Sequence, residues 1–320
     1  MHRRARGPWL LVALACLALT AVARVAGSNG QAFDPGHSAL PGARLAVVKS
    51  HRYRMAGRIR PLLFWVGRDN VGLAQITWRD GGQARAYEFL VGTDPGIAPR
   101  GINRWGDIRE EARAGGGSLL ALMSRSDEAS YDDARANTER RATGGEFRAI
   151  QATLHEGVAT SRTALVATDT PATIHDVERL LDRVQAETAR ATARATRVDA
   201  GTRPGFLLAV AELVDRSVEA AQLPGAALDR LTSVKIPYVF NQKRYELRLR
   251  EVSRVPVAAA WPGSPRDAVR GDFEILTLAT GARTRFEMTY AVKGEWAGVP
   301  LEIEWQPRWW LKVELHLLAS

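Results

Sequence analysis

The chain is nearly without cysteine. Cys16 is the single one in 320 residues, which excludes an internal disulfide and a zinc site built on thiolates. Lysine is scarce too, five among 44 basic residues. The excess arginine reads as the bias of a GC-rich genome, since phosphate binding needs a basic cluster and these charges are scattered. Nucleic acid is therefore not an expected partner. Common catalytic words are missing: no G-x-S-x-G elbow, no phosphate-binding P-loop, no G-x-G-x-x-G and no EF-hand spacing. His155 and Glu156 begin a zincin-like word, but Ala159 stands where the second histidine belongs. A metal site would have to draw on distant residues such as His51, His155, His175 and His316, which read better as surface or strand-partner histidines, so neither metal nor cofactor is expected.

No apolar run reaches the roughly 20 residues that span a bilayer. The longest is Trp9 to Ala23, preceded by Arg3, Arg4 and Arg6 and followed by small residues at Ala21 and Ala23 or at Ala26 and Ser28. That is the layout of an export signal, expected over 1–27. A retained N-terminal anchor and lipidation at Cys16 are alternatives, though Leu14 lies one position from where a lipobox needs it. Removing the leader takes away the cysteine and leaves 40 bases against 35 acids, a net charge of +5. The expected location is periplasmic or secreted, with no membrane span after cleavage.

What is present is period-two patterning. Residues 28–42 are Ser, Asn, Gly, Pro and His without periodicity, a flexible spacer. Strands are predicted at 45–49, 59–66, 71–79, 84–91, 119–124, 147–155 and 159–167, with turn chemistry at 67–70 and at Asp80, Gly81 and Gly82. The loop 92–106 is long and irregular, and a short helix is expected at 107–113 with its carboxylates, Glu110 and Glu111, in solvent. Residues 126–141 read as polar and weakly helical.

At 170–224 the period changes to 3.6. Thr173 and Asp176 form a capping box, and Pro204 suits the first turn of a second helix whose stripe is Phe206, Val210, Leu213, Val214, Ser217 and Val218. This is read as an αα-hairpin. Strands return from Val234, ending in Val299–Leu318. Keeping like faces together predicts a loop at Gln306, Pro307 and Arg308, pairing Trp305 with Trp309, Ile303 with Leu311, and Glu302 with Lys312. The fold class is α+β: a strand-rich domain at 43–169, the hairpin at 170–224, and an antiparallel β-sandwich or partly closed barrel at 225–320.

Two groups are candidate ligand contacts. Arg100, Asn103, Arg104 and Trp105 in the long loop could hold an anionic or glycan group. Trp310, outward between Arg308 and Lys312, could stack on a sugar or a lipid headgroup. The same residues could equally pack internally. The expected function is a non-catalytic binding or assembly protein of the bacterial cell envelope, with a glycan, lipid or envelope protein as partner. The alternative is an exported hydrolase of glycans or lipids.

Overall fold

The computed structural model describes residues 40–60, 65–124, 145–223, 228–257, 265–308 and 311–318. The signal segment, the segment 126–141, Trp309 and Trp310 lie outside the described residues. Among these residues fourteen strands form one antiparallel sheet. The first meander is β1 (Ala46–Ile59), β2 (Val66–Asp80), β3 (Ala84–Thr93), β4 (Trp105–Arg113), β5 (Gly116–Ser124), β6 (Gly145–His155), β7 (Val158–Thr168) and β8 (Arg194–Arg197). The second is β9 (Lys235–Phe240), β10 (Lys243–Pro256), β11 (Asp267–Thr277), β12 (Arg283–Ala291), β13 (Pro300–Arg308) and β14 (Leu311–Leu317). Every strand pairs with its sequence neighbour except at one seam, where β1 lies against β14, Met55 opposite Leu315.

The sheet curls without a closing ladder. Near its two edges Arg203 bridges Tyr238 in parallel, Thr163 Oγ1 hydrogen-bonds Asn241 Oδ1 at 3.1 Å, and Gln242 Nε2 donates to Ser161 Oγ at 3.0 Å. Of the two α-helices among the described residues, α1 (Val177–Arg190) lies on β6 and β7, whereas α2 (Phe206–Gln222) touches β3 and β4 as well as β9, β10 and β11. A helix can meet both halves of one sheet only if the sheet wraps around it. The reason lies in composition: FLLAVAELV is apolar on more than one side, which a helix tolerates when surrounded. Around it the inward residues of both meanders form one core, including Tyr53, Phe89, Ile108, Leu247, Phe273 and Met288. A second core lies outside β4 to β7, where Leu120, Leu122 and Phe147 meet Val177, Leu181 and Val184 of α1. The outer face of the second meander instead carries ion pairs, with buried Glu274 among Arg248, Arg250, Arg283 and Arg285.

Several expectations are corrected. The protein is mostly antiparallel β-sheet, and α1 and α2 do not form a hairpin: β8 intervenes and the two helices pack on opposite sides of the sheet. Residues 225–320 contribute half of a shared sheet instead of making a sandwich or barrel of their own. The turn expected at 67–70 is a bulge inside β2, with Asn70 at φ 57. The helix expected at 107–113 is β4, buried on both faces. In the terminal hairpin, strand pairing continues through Gln306–Arg308 to Arg308 opposite Leu311, so Ile303 meets Leu315, four positions beyond the expected partner. Pro307 is tolerated because it falls in a bulge. Four is even, so the buried faces survive the slip. Lys312 accordingly pairs with Glu304 at 2.8 Å and Glu314 at 3.1 Å, and Glu302 with His316 at 3.4 Å.

If α2 is a core element, Leu213→Ala, at a fully buried position, is expected to cost about 2–5 kcal/mol in urea unfolding. Leu165→Ala, on β7 and 51% exposed, is expected to stay within about 0.5 kcal/mol.

Candidate ligand-binding cleft

The side of α2 that faces β1, β2, β3, β12 and β13 is only partly covered. Leu207, Val210 and Ala211 are half-buried there, while Ala209 and Leu213 are fully buried elsewhere on the helix. Between that side and the sheet lies a cleft of about 350 Å³, walled by Ile76, Phe89, Met288 and Ile303. This volume is at the small end of the range for small-molecule sites, about 300–1,000 Å³. Its lip is apolar too: Val48 lines it at 60% exposure, next to Val47 at 53%.

Charge gathers only at the mouth, on Lys49, Arg79, Asp80, Arg85 and Asp215. Arg85 stands 3.8 Å from Asp80 and 3.7 Å from Asp215. Lys49 Nζ donates to the Ala297 carbonyl at 3.0 Å. Burial lowers its ammonium below the ordinary lysine range, against the pull of Asp215 and Glu295. Burial likewise raises the Asp215 carboxyl, with Arg85 opposing. Beside Lys49, His51 is held toward its neutral form by burial and then by the lysine, its ring 5.7 Å from Trp78 and 5.1 Å from Trp296. The described lining has no serine, threonine, cysteine or histidine. The arrangement can therefore enclose an apolar group and meet a polar one at the lip.

One buried side chain holds the helix wall in place. Glu110 of β4 points inward, fully buried, and its Oε2 accepts the Leu208 N–H at 2.9 Å, with the N–H groups of Phe206 and Leu207 also directed at it. These are first-turn donors that the helix cannot satisfy itself. Gly205 precedes them because a Cβ there would overlap the Glu110 carboxyl. Burial raises Glu110 to about 7 although the three N–H groups oppose it. On the outer face Asp107, raised to about 6 by burial against the pull of Arg109, accepts from Arg109 Nε at 2.8 Å, and Glu111 accepts from Gly42 N at 2.8 Å. The solvent-facing carboxylates expected at 110 and 111 are thus interior groups.

The sequence-predicted loop contacts fall elsewhere. Asn103 Nδ2 and Trp105 Nε1 both donate to the Ala172 carbonyl, at 2.8 and 2.7 Å, and Arg104 Nη1 donates to the Asn103 carbonyl at 2.9 Å. These three surround a separate cavity of about 260 Å³ bordered by Ser124 and Gly145. Arg100 lies in the 3₁₀ turn Pro99–Gly101, and Arg308 ends β13. Among the described side chains of the two groups, those of Asn103, Arg104 and Trp105 do not line the cleft. Among the described residues no three of His, Cys, Asp and Glu gather as metal ligands. His155, His175 and His316 lie near Glu156, Asp94 and Glu302 respectively. The cleft was traceable in sequence only through Leu207 and Ala211, apolar residues beyond the single helical stripe.

No family model and no curated protein matches the chain. Among solved structures it is similar to the crystal structure of a β-barrel-like protein of domain of unknown function DUF1849 from Brucella abortus. The identity is 9% and the TM-score 0.35, over 88% of this chain and 98% of that one.

Glu110 sets a pH dependence with a definite sign. Its folded-state pKa of about 7 exceeds the ordinary 4.5, so its contribution to stability is complete below about pH 4.5 and is lost as pH rises through 7. The loss is on the order of 3 kcal/mol, and Asp107 acts in the same direction. The melting temperature is expected to fall between pH 5 and pH 8, and Glu110→Gln to remove much of that fall in a thermal-melt series.

Proposed function

We propose that the protein is an exported, non-catalytic binding protein of the cell envelope, periplasmic or secreted, that takes an apolar group into the cleft beside α2. The observation that carries this reading is the half-covered apolar side of a helix otherwise buried in the core. Leaving such surface uncovered forgoes about 25 cal/mol per Å², and a ligand recovers it. Among a glycan, a lipid and an envelope protein, a lipid best suits a lining of Leu, Val, Ile, Met and Phe. Export is supported by the basic and apolar run at residues 3–23. The hydrolase alternative draws less support: the two carboxylates of the lining share Arg85, and Asp80 Oδ1 also accepts the Gly82 N–H at 2.7 Å.

The test is titration with N-phenyl-1-naphthylamine, whose fluorescence rises in apolar surroundings. Saturable binding is expected, weakened by about tenfold or more in Ala211→Trp, a loss of about 1.4 kcal/mol, with the melting temperature kept. Equal binding by Ala211→Trp would exclude the cleft. Mass analysis of the mature N-terminus in a fractionated cell tests export.

A further inference from the structure

Resting on the cleft reading, we infer that the ligand is a single-chain amphiphile with an anionic head, a carboxylate or a phosphate monoester, and that Lys49 holds the head. The charges at the mouth are already matched except for one. Arg79 Nε is committed to Glu88 at 2.6 Å, and Arg85 stands between Asp80 and Asp215. Lys235, Lys293 and Lys312 each have a carboxylate within 4 Å, and Lys243, which has none among the described residues, does not line the cleft. Among the described residues Lys49 has no such partner; a backbone carbonyl takes one of its three N–H groups. A half-buried ammonium beside apolar walls is costly without a counter-ion, and an entering anion supplies one while its chain runs along α2.

Direction and size follow from the same residues. Lys49 sits at the lip, with His51 and Trp78 beside it, whereas Leu207, Val210 and Met288 lie along the apolar walls. A head at the lip therefore leaves the chain to occupy the interior. About 350 Å³ suits one chain better than two. Held in this way, the carboxylate or phosphate accepts charge-assisted hydrogen bonds from Nζ, and no covalent step is involved.

The experiment displaces bound N-phenyl-1-naphthylamine from the mature protein with four twelve-carbon amphiphiles, each below its micelle concentration: dodecanoate, dodecyl phosphate, dodecyl maltoside and dodecyltrimethylammonium. The anions are expected to displace the probe at concentrations about tenfold lower than the maltoside, the scale of one charge-assisted hydrogen bond, and the cation to be weakest. The carboxylate and phosphate arms separate a fatty acid from a phosphorylated lipid. Lys49→Met should bind the probe normally yet lose the preference for anions, and Lys49→Arg should keep it. Displacement regardless of charge, or an unchanged preference in Lys49→Met, overturns this inference and leaves the cleft reading intact. Failure of the probe to bind, or anion binding untouched by Ala211→Trp, overturns both.

Discussion

A helix placed inside a curled sheet must find partners for its first-turn N–H groups where water does not supply them, and here one carboxylate does so. Glu110 reaches from β4 to the N-terminus of α2, across nearly a hundred residues of sequence. Orphaned donors and an uncompensated carboxylate would each be costly in an apolar interior, so each makes the other tolerable. The position of α2 depends on this contact, and with it the wall of the cleft and the joint core of the two meanders.

The two faces of the sheet solve different problems. Inside, apolar residues converge on α2. Outside the second meander, charges are paired densely enough that Glu274 and Glu314 are almost fully buried. Burial disfavours the Glu274 carboxylate, yet hydrogen bonds from Arg248 and Arg285 keep its carboxyl below the ordinary range. Lys49, by contrast, has no carboxylate in contact among the described residues, and it lies at the rim of the cleft.

Faces were more legible in the sequence than partners were. The terminal ribbon alternates so regularly that Ile303, Trp305 and Leu315 are correctly placed inside even with the register wrong, because an even slip preserves parity. The register itself depended on a bulge at Gln306 and Pro307, which alternation cannot report. Residues 107–113 misled for another reason: Asp107, Arg109 and Glu111 in one alternating set and Glu110 in the other resemble a solvated helix, whereas here Glu110 supports α2 and the other set is buried by α1 and Gly42. The loop residues Asn103 and Trp105 were recognised as a group, but their donors are used on Ala172. The cleft joins residues from β1 to β13, so its only local trace is the extra apolar surface of α2.

The seam between β1 and β14 carries a consequence for biogenesis. Each meander can zip from neighbour to neighbour as it is made, but the middle of the sheet stays open until a strand about 250 residues downstream arrives. Until then Tyr53 and Met55 sit on an unpaired edge, a state in which a chain readily joins another chain. A chain made from its N-terminus therefore keeps that edge open until its last strand is in place.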